Sequence, residues 1–482
     1  MSVSYALAWL LPLLAGSGLV GLLGAGRRFR GDGAVALGAG WVVGVFVAAA
    51  GARAFGGADA LAVTARVAPW LGAFGVLAWI AALLRLRVAP ATRAGEPAER
   101  RPLRAGGMRA ALFWLLLAAI VVRVLTVADE AALRPVFPWD AWAAWAIKAK
   151  NWMLLGHVER YVPVLDWLAD PLAPTRTAAT WNYPELLAWL EVWFAGGAGG
   201  WNEPLVDLAW CGALVAFALA AYGYARGFGL GAGVAIALVY AFVSLPLIDA
   251  HVALAGYADL WVAVTLGLAS LAWARWLAFR ERGQWWLGVA LALCLPAIKL
   301  EGAIWLLIFS AVVVLDLLPR RWRWGVAGLV AALAVLGVVL GGFVLPMLGL
   351  GLVHVAWGDV TVPTLGAFEL GWHPVGAALL ASLFTLPNWH LFWYVLPALV
   401  LVRGRVLLED HAARLFGLFV VLQLAFLFLL FFFTEAAAWA QDFTSANRLI
   451  LQIVPSLFAF AMLLLRTPRP VRRFQSGWSV AR

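Results

Sequence analysis

The stretch MSVSYALAWLLPLLAGSGLVGLLGAG, residues 1–26, carries no charge and is followed at once by the arginines of RRFR, residues 27–30. A secretory signal has a basic start, a short apolar core and a small-residue cleavage site. Here the basic residues come after the apolar run. The pattern therefore predicts a first transmembrane helix that is retained in the protein, since about 20 apolar residues cross the hydrocarbon core of a bilayer.

Composition extends this conclusion to the whole chain. Of the 482 residues, 65% are hydrophobic and only 12% are charged, and the mean hydropathy is +0.91. Such values exclude an ordinary soluble domain and indicate a polytopic membrane protein. Cys211 and Cys294 both lie within apolar runs, so neither a disulfide framework nor a thiolate metal site is supported.

Apolar runs predict an all-α, polytopic transmembrane helical bundle of about 13 spans. The predicted spans are residues 5–26, 34–55, 68–86, 110–128, 203–225, 228–247, 258–278, 284–298, 303–319, 324–347, 389–403, 413–433 and 448–465.

The net charge of +10 comes from arginines that cluster in the short connections between these runs. With the predicted spans, the arginine-rich connections fall on one side, which the positive-inside rule assigns to the cytoplasm; Arg53 and Arg66, in the second connection, are mild exceptions. The pattern therefore predicts a multi-pass protein of the plasma (inner) membrane. It also argues against nucleic acid as a partner.

Three regions follow from this arrangement. Residues 1–109 hold three spans and a basic cytoplasmic linker, residues 110–465 form the main transmembrane module, and residues 466–482 form a cytoplasmic tail. The module contains a large first extracytoplasmic loop, residues 129–202. Two helix-compatible pieces of that loop, DAWAAWAIKAKNWMLL and PELLAWLEVWFA, are too short or too polar to span and are predicted to be juxtamembrane helices.

Lysine occurs at only three positions, Lys148, Lys150 and Lys299, all on the predicted outer face. A lysine ammonium is a compact point charge that suits a phosphate oxygen, although a simple preference for arginine elsewhere would give the same pattern. Lys299 and Glu301 lie in LPAIKLEGAIWLL, residues 295–307, where charge near the membrane is costly. They are candidates for a functional site, with closure of a helical hairpin as the alternative.

Two further polar groups lie at the starts of predicted spans. His251, Tyr257 and Asp259 belong to HVALAGYADLW, where Asp259 could instead be a helix N-cap. Arg448 follows a dense polar cluster in FTSANRLILQIVP, where a snorkelling arginine is the alternative.

Four features fall on the predicted outer side of the membrane: Asp140 in the long loop, the KLEG turn, the GYADL motif and the TSANRL start of the last span. In this order the chain resembles the C-type (GT-C) integral membrane glycosyltransferases, and particularly bacterial relatives of the protein mannosyltransferase and aminoarabinose transferase group, over residues 110–465. NYPELLAWLEVWF looks like the Pro-Leu juxtamembrane helix of that family, and YGYARGFG like the arginine-glycine end of the following span. Three additional leading spans, and TWNYP in place of the usual basic residue before the Pro-Leu helix, depart from the family pattern.

The resemblance implies an inverting transfer of a sugar from a polyprenyl-phosphate donor to an extracytoplasmic glycan, lipid or protein acceptor. Asp140, beside a juxtamembrane helix, matches the catalytic aspartate, with helix N-capping as its structural alternative. Such a transfer needs a base for the acceptor hydroxyl and cations for the departing phosphate. The expected phosphate ligands are Lys299, Arg448, Lys148 and Lys150, and the expected acceptor or sugar ligands are Trp142, His251, Tyr257, Asp259 and Glu301.

These motifs require no cofactor. Whether the protein binds a divalent metal is left open, and Asp249 and His251 are the candidate ligands. Besides the sugar donor and the acceptor, the lipid bilayer is the expected partner. The alternatives are a polytopic transporter, a polymerase or ligase of lipid-linked polysaccharide, and a purely structural membrane subunit. A transporter would show internal repeats and ionisable residues at mid-membrane depth. Neither feature is clear in the sequence, although Arg123 and Asp316 lie near the ends of predicted spans.

Overall fold

A computed structural model describes residues 3–24, 31–56, 59–88, 107–348, 350–364 and 366–467. Most of the predicted cytoplasmic linker and nearly all of the predicted tail lie outside these residues.

The described chain is mostly helical. Its α-helices are α1 (Val3–Gly24), α2 (Asp32–Phe55), α3 (Val63–Val88), α4 (Gly107–Leu133), α5 (Ala146–Leu155), α6 (Val164–Ala169), α7 (Leu186–Ala198), α8 (Glu203–Gly227), α9 (Ala232–Val243), α10 (Pro246–Ala253), α11 (Ala258–Phe279), α12 (Arg282–Ile298), α13 (Gly302–Leu317), α14 (Arg320–Val339), α15 (Gly376–Leu380), α16 (Phe392–Arg403), α17 (Arg405–Glu409), α18 (His411–Phe433), α19 (Ala437–Gln441) and α20 (Ser445–Leu465). Short π-helical turns cover Ala141–Trp145 and Ala381–Thr385, and a 3₁₀ turn covers Pro387–Trp389.

The polytopic helical prediction is confirmed, whereas the count of thirteen spans is not. Within the described residues, nine helices are long and apolar enough to cross a membrane: α1, α2, α3, α4, α8, α11, α14, α18 and α20. The pair α9 and α10, bent by 61° at its break, would make a tenth. At three other predicted spans the helices α12, α13 and α16 have only 17, 16 and 12 residues, short of the roughly 20 that a full crossing needs.

One predicted span is partly a β-sheet, so the all-α expectation is wrong there. The run 324–347 was expected to be a single helix, but α14 ends at Val339 and a strand begins at Phe343. Gly341 and Gly342, with φ of 114° and 117°, turn the chain between the two in a conformation that favours glycine. The strands β3 (Phe343–Met347), β4 (Gly351–Val355), β5 (Asp359–Val362) and β6 (Gly366–Glu369) form an antiparallel meander in chain order. A separate short parallel pair joins β1 (Arg160–Tyr161) to β2 (Thr175–Arg176).

The centre of the bundle is formed by α11 and α20, because 83% of the most apolar stretch of α11 and 89% of that of α20 are buried. By contrast, only 11% of the most apolar stretch of α4 is buried by other parts of the protein. Inner helices can approach closely because small residues face their neighbours. A Cβ on Gly267 of α11, for example, would lie 2.4 Å from Pro455 of α20.

The three leading helices pack directly on the rest of the protein. Glycines allow α1 and α2 to touch, since a Cβ on Gly44 would lie 1.8 Å from the carbonyl oxygen of Pro12. Helix α1 is hydrogen-bonded to α7 and α8 of the main module. The indole N–H of Trp193 in α7 donates to the carbonyl of Ala8 at 2.9 Å, and the hydroxyl of Tyr5 donates to the carbonyl of Leu205 in α8 at 2.6 Å. Helices α1 and α2 are thus part of the same packed bundle as α7 and α8.

Three ion pairs of arginine link connections at one end of the bundle, whereas Arg53 lies at the other end, beside Glu185 of the long loop. The ends of α11, α13 and α20 and the starts of α12 and α18 are joined by ion pairs of Arg275 with Glu281, Arg280 with Asp316, and Arg466 with Asp410. The loop 129–202, the α12–α13 turn and the segment before α20 lie at the other end. The charge pattern assigns the connections that carry these three ion pairs to one side of the membrane.

Cysteine labelling tests which end faces outward. In a Cys211→Ala/Cys294→Ala background, Leu172→Cys in the long loop should react with a membrane-impermeant maleimide on intact cells, because Leu172 is 96% exposed. Glu409→Cys at the arginine end should react only after permeabilisation. The reverse pattern would place the long loop in the cytoplasm.

Candidate functional site

A cavity of about 150 Å³ lies at the end of the bundle away from the arginine ion pairs. Three distant parts of the chain form its walls: the first long loop, the α12–α13 turn, and α19 together with the start of α20. The residues that line it are Asp140, Ala144, Trp145, Thr180, Tyr183, Lys299, Glu301, Trp439, Ser445, Arg448 and Leu449. The structure thus brings four of the predicted site residues together: Asp140, Lys299, Glu301 and Arg448.

Asp140 reaches the cavity at the start of a π-helical turn. Pro138 starts this turn by accepting backbone hydrogen bonds from Ala141 at 2.9 Å and Trp142 at 3.2 Å. Although Asp140 occupies the N-cap position, its side chain makes no capping hydrogen bond. Its carboxylate instead forms an ion pair with Arg448 and is 40% exposed. The alternative role as a helix cap is therefore not found.

Arg448 lies in the first turn of α20 and is held from three sides. One terminal nitrogen pairs with Asp140, the other donates to the hydroxyl of Ser445 at 2.8 Å, and the guanidinium lies 4.9 Å from the ring centre of Tyr257. Its side chain is only 19% exposed. Arg448 therefore faces the cavity rather than snorkelling towards lipid headgroups.

Lys299 comes directly after α12, where the chain turns tightly into α13. The turn depends on Gly302, since a Cβ there would lie 2.1 Å from the carbonyl oxygen of Leu295. The Lys299 ammonium lies 2.9 Å from a carboxylate oxygen of Asp259 and 3.1 Å from one of Glu301. Burial lowers the pKa of Lys299, but these two carboxylates outweigh that effect and the pKa is raised overall. The side chain therefore remains a cation at neutral pH.

Asp259 is a buried anchor and not the N-cap that was considered for it. The N-cap of α11 is Tyr257, and Asp259 is 1% exposed within the first turn. Its carboxylate accepts hydrogen bonds from Lys299 at 2.9 Å and from the amide of Gln452 at 2.6 Å. Gln452 in turn accepts from the indole N–H of Trp305 at 2.6 Å. This chain of bonds joins α11, α13 and α20 to the α12–α13 turn.

Sequence reasoning missed Gln452, Thr180 and Tyr183. Gln452 lies four residues after Arg448, on the same side of a helix, and a polar residue at that spacing was the available signal. Thr180 and Tyr183 belong to TWNYP, the segment that departs from the expected family pattern. Burial, and then the Glu301 carboxylate, raise the pKa of Tyr183, so its phenol stays protonated and can donate a hydrogen bond.

Lys148 and Lys150 were predicted to bind the donor phosphate, but neither of them lines the cavity. Lys148 is buried and donates to the carbonyls of Trp181 at 3.1 Å and Tyr183 at 2.8 Å, so it supports the wall instead of lining it. Lys150 points to another side of α5 and pairs with Glu203 at 2.6 Å. The two-residue separation of these lysines on a helix accounts for their different directions.

Of the remaining predicted acceptor ligands, Trp142 and His251 also lie outside the cavity lining. The Trp142 ring packs edge-on against Trp139, with 4.6 Å between centroids. His251 is buried, with Nδ1 2.8 Å from the carbonyl oxygen of Leu247 and its ring 5.3 Å from that of Tyr257. Tyr257 is also absent from the cavity lining, but its ring contacts Arg448, which lines the cavity.

The candidate metal ligands are not brought together. Asp249 forms an ion pair with Arg123 of α4, whereas His251 contacts Tyr257. Across the part of the chain that the structure describes, no group of three or more His, Cys, Asp or Glu side chains could hold a metal ion.

Removing Lys299 tests the buried anchor. Lys299→Met leaves the Asp259 carboxylate buried without its counter-charge, which costs about 3–5 kcal/mol of stability. The same change at Lys150, whose ion pair is exposed, should cost less than about 1 kcal/mol. Thermal unfolding in detergent, followed by tryptophan fluorescence, compares the two. The double variant Lys299→Met/Asp259→Leu should recover part of the loss, and equal melting of the two single variants would contradict the anchor.

Lys148 predicts a pH dependence of stability. Burial, opposed by the Glu185 carboxylate, lowers the pKa of Lys148 from 10.5 to about 8. Between these two values the unfolded chain binds more protons than the folded protein, so the contribution of Lys148 to stability rises as the pH increases. The difference between the melting temperatures of the wild type and Lys148→Met should therefore change in favour of the wild type as the pH rises from 8 to 10. A constant difference over this range would show that Lys148 has an ordinary pKa.

Comparison of the chain with protein-family models, with curated proteins and with solved structures finds no match. The functional assignment therefore depends on the residues of the cavity and their chemistry.

Proposed function

We propose that this protein is an inverting membrane glycosyltransferase of the C-type group, which transfers a sugar from a polyprenyl-phosphate donor to an acceptor hydroxyl outside the cytoplasm. The observation that carries the proposal is the meeting of Asp140, Lys299 and Arg448, from three distant segments, in one cavity at the helix ends. A carboxylate base and two cations are the groups that such a transfer requires.

The two cations suit a departing phosphate in different ways. Arg448 offers a planar guanidinium that can bind two phosphate oxygens at once, and Lys299 offers a point charge. Both are fixed before any ligand arrives, Arg448 by Ser445 at 2.8 Å and Lys299 by Asp259 at 2.9 Å. Donors held in place in this way stabilise developing charge without reorganising during the reaction.

Asp140 is the proposed base, and its ion pair with Arg448 suggests how it becomes available. A donor phosphate that binds Arg448 competes with the Asp140 carboxylate for the same guanidinium. The released carboxylate then accepts the proton of the acceptor hydroxyl while that oxygen attacks the anomeric carbon. The bond from the anomeric carbon to the phosphate oxygen breaks, and the phosphate leaves with the electron pair. This single displacement needs one carboxylate base and inverts the configuration at the anomeric carbon.

The rest of the lining suits a sugar. Tyr183 and Thr180 bring hydroxyl groups to the wall, and Trp145 and Trp439 bring aromatic rings. Hydroxyl groups can bond with those of a sugar, and an aromatic face can pack on its C–H face. The positive-inside rule places the arginine end in the cytoplasm and so the cavity outside, where a lipid-linked donor needs no nucleotide-binding loop.

The transporter alternative has one observation in its favour. Helices α9 and α10 meet at a break of 61°, and beside it Arg123 donates to the carbonyl of Ser244 at 3.2 Å and pairs with Asp249. Broken helices with nearby charges occur at the binding sites of transporters. A transporter would move its substrate across liposomes without breaking a glycosidic bond, which the transfer assay distinguishes.

The test is Asp140→Asn, assayed as sugar transfer from a synthetic polyprenyl-phosphate sugar in proteoliposomes. Asparagine keeps the size of the side chain but cannot accept a proton at neutral pH. Loss of a general base should slow transfer by about 10² to 10⁴. The matched control is Asp166→Asn, the same change at an exposed position in the same loop, which should leave the rate unchanged. Transfer by Asp140→Asn at the wild-type rate would remove Asp140 as the base.

A further inference from the structure

A second and larger cavity, about 580 Å³ in volume, is a groove between α4, α9 and α10. Its α4 wall consists of residues at helical spacing, namely Ala119, Val122, Arg123, Thr126, Val127 and Glu130. Helix α10 is bent from α9 by 61° at the break between them, and residues of both helices form the wall opposite α4.

The surroundings of the groove are apolar. Helix α4 has 27 residues, and only 11% of its most apolar stretch is buried by the rest of the protein. Val122 on the groove wall and Leu125 beside it are 64% and 62% exposed. A span with this composition faces the hydrocarbon of the bilayer, and the occupant of the groove must therefore come from the membrane.

Charge is nevertheless distributed along the groove in two pairs. Glu130 and Arg134 lie 2.6 Å apart at the outer end of α4. Arg123 and Asp249 form the second pair, seven residues and so about 10 Å further along the helix. The site is neutral overall but presents a cation and an anion side by side at its mouth.

The deeper pair leaves hydrogen-bonding capacity unused. One terminal nitrogen of Arg123 contacts both Asp249 and the carbonyl of Ser244. Nε of Arg123 and Oδ1 of Asp249 are buried without a partner in the described part of the chain. Unpaired polar groups are costly at membrane depth, so a ligand with a polar group at this level would stabilise the groove.

We propose that this groove binds one bilayer phospholipid with a zwitterionic amine headgroup, such as phosphatidylethanolamine. The ammonium pairs with Glu130 and the phosphate pairs with Arg134 at the mouth. An ester carbonyl, which lies deeper than the phosphate, accepts a hydrogen bond from Arg123. An acyl chain then continues along Ala119 and Val122. An anionic headgroup without an amine would leave Glu130 unpaired beside the phosphate, so it should bind less well.

Native mass spectrometry of the full-length protein, extracted in mild detergent and titrated with single phospholipids, tests this site directly. The wild type should retain one phosphatidylethanolamine with about tenfold higher affinity than phosphatidylglycerol, since one charge-assisted contact is gained. Ala250→Trp fills the groove and should abolish retention of that lipid. Leu125→Trp, the matched control on the lipid-facing side of α4, should retain it.

Glu130→Gln provides the headgroup test. It should bring the affinities for phosphatidylethanolamine and phosphatidylglycerol together by weakening the former. Equal affinities in the wild type, or undiminished retention by Ala250→Trp, would overturn the proposal. A copurifying polyprenyl phosphate that Ala250→Trp displaces would assign the groove to a substrate lipid and would equally overturn it. None of these measurements depends on sugar transfer, so their failure is distinct from failure of the proposed function.

Discussion

The candidate site depends on the buried ion pair between Lys299 and Asp259. It joins the α12–α13 turn to α11, and the amide of Gln452 joins the same carboxylate to α20. Buried charges in a membrane protein are stable only when each has its partner and its remaining hydrogen bonds. The pair therefore holds the inner wall of the cavity in one arrangement, and Arg448, one helical turn before Gln452, faces the cavity as a result.

The outer wall is supplied by the long loop, which has its own support. Lys148 holds the carbonyls of Trp181 and Tyr183, and the amide of Asn182 donates to the carbonyl of Thr364 at 2.8 Å beside the small β-sheet. The ion pair of Asp140 with Arg448 then joins the loop to the bundle. Because a phosphate would compete with Asp140 for Arg448, ligand binding would break this ion pair between the loop and the bundle.

Sequence alone could locate the charged part of the site because ionisable residues stand out in an apolar chain. Lys299 and Arg448 were found this way, but the same reasoning selected Lys148 and Lys150, whose partners lie 33 to 53 residues away and could not be read from local pattern. Thr180 carries no charge, and only tertiary contacts reveal its position, whereas Gln452 had one local signal, its four-residue spacing from Arg448. The β-sheet was missed because an apolar run such as 324–347 matches a span in length, although the glycine pair at 341–342 and Pro346 were local signs of its interruption.

The most direct test of the account is the affinity of the protein for undecaprenyl phosphate, measured for the wild type, Arg448→Gln and Asp140→Asn in the same detergent. Arg448→Gln removes a charge-assisted contact and should weaken binding at least about tenfold. Asp140→Asn removes the carboxylate that competes for Arg448, so it should bind the phosphate at least as tightly as the wild type does. Unchanged binding by Arg448→Gln, or loss of binding in Asp140→Asn, would contradict a cavity in which phosphate and Asp140 exchange on one arginine.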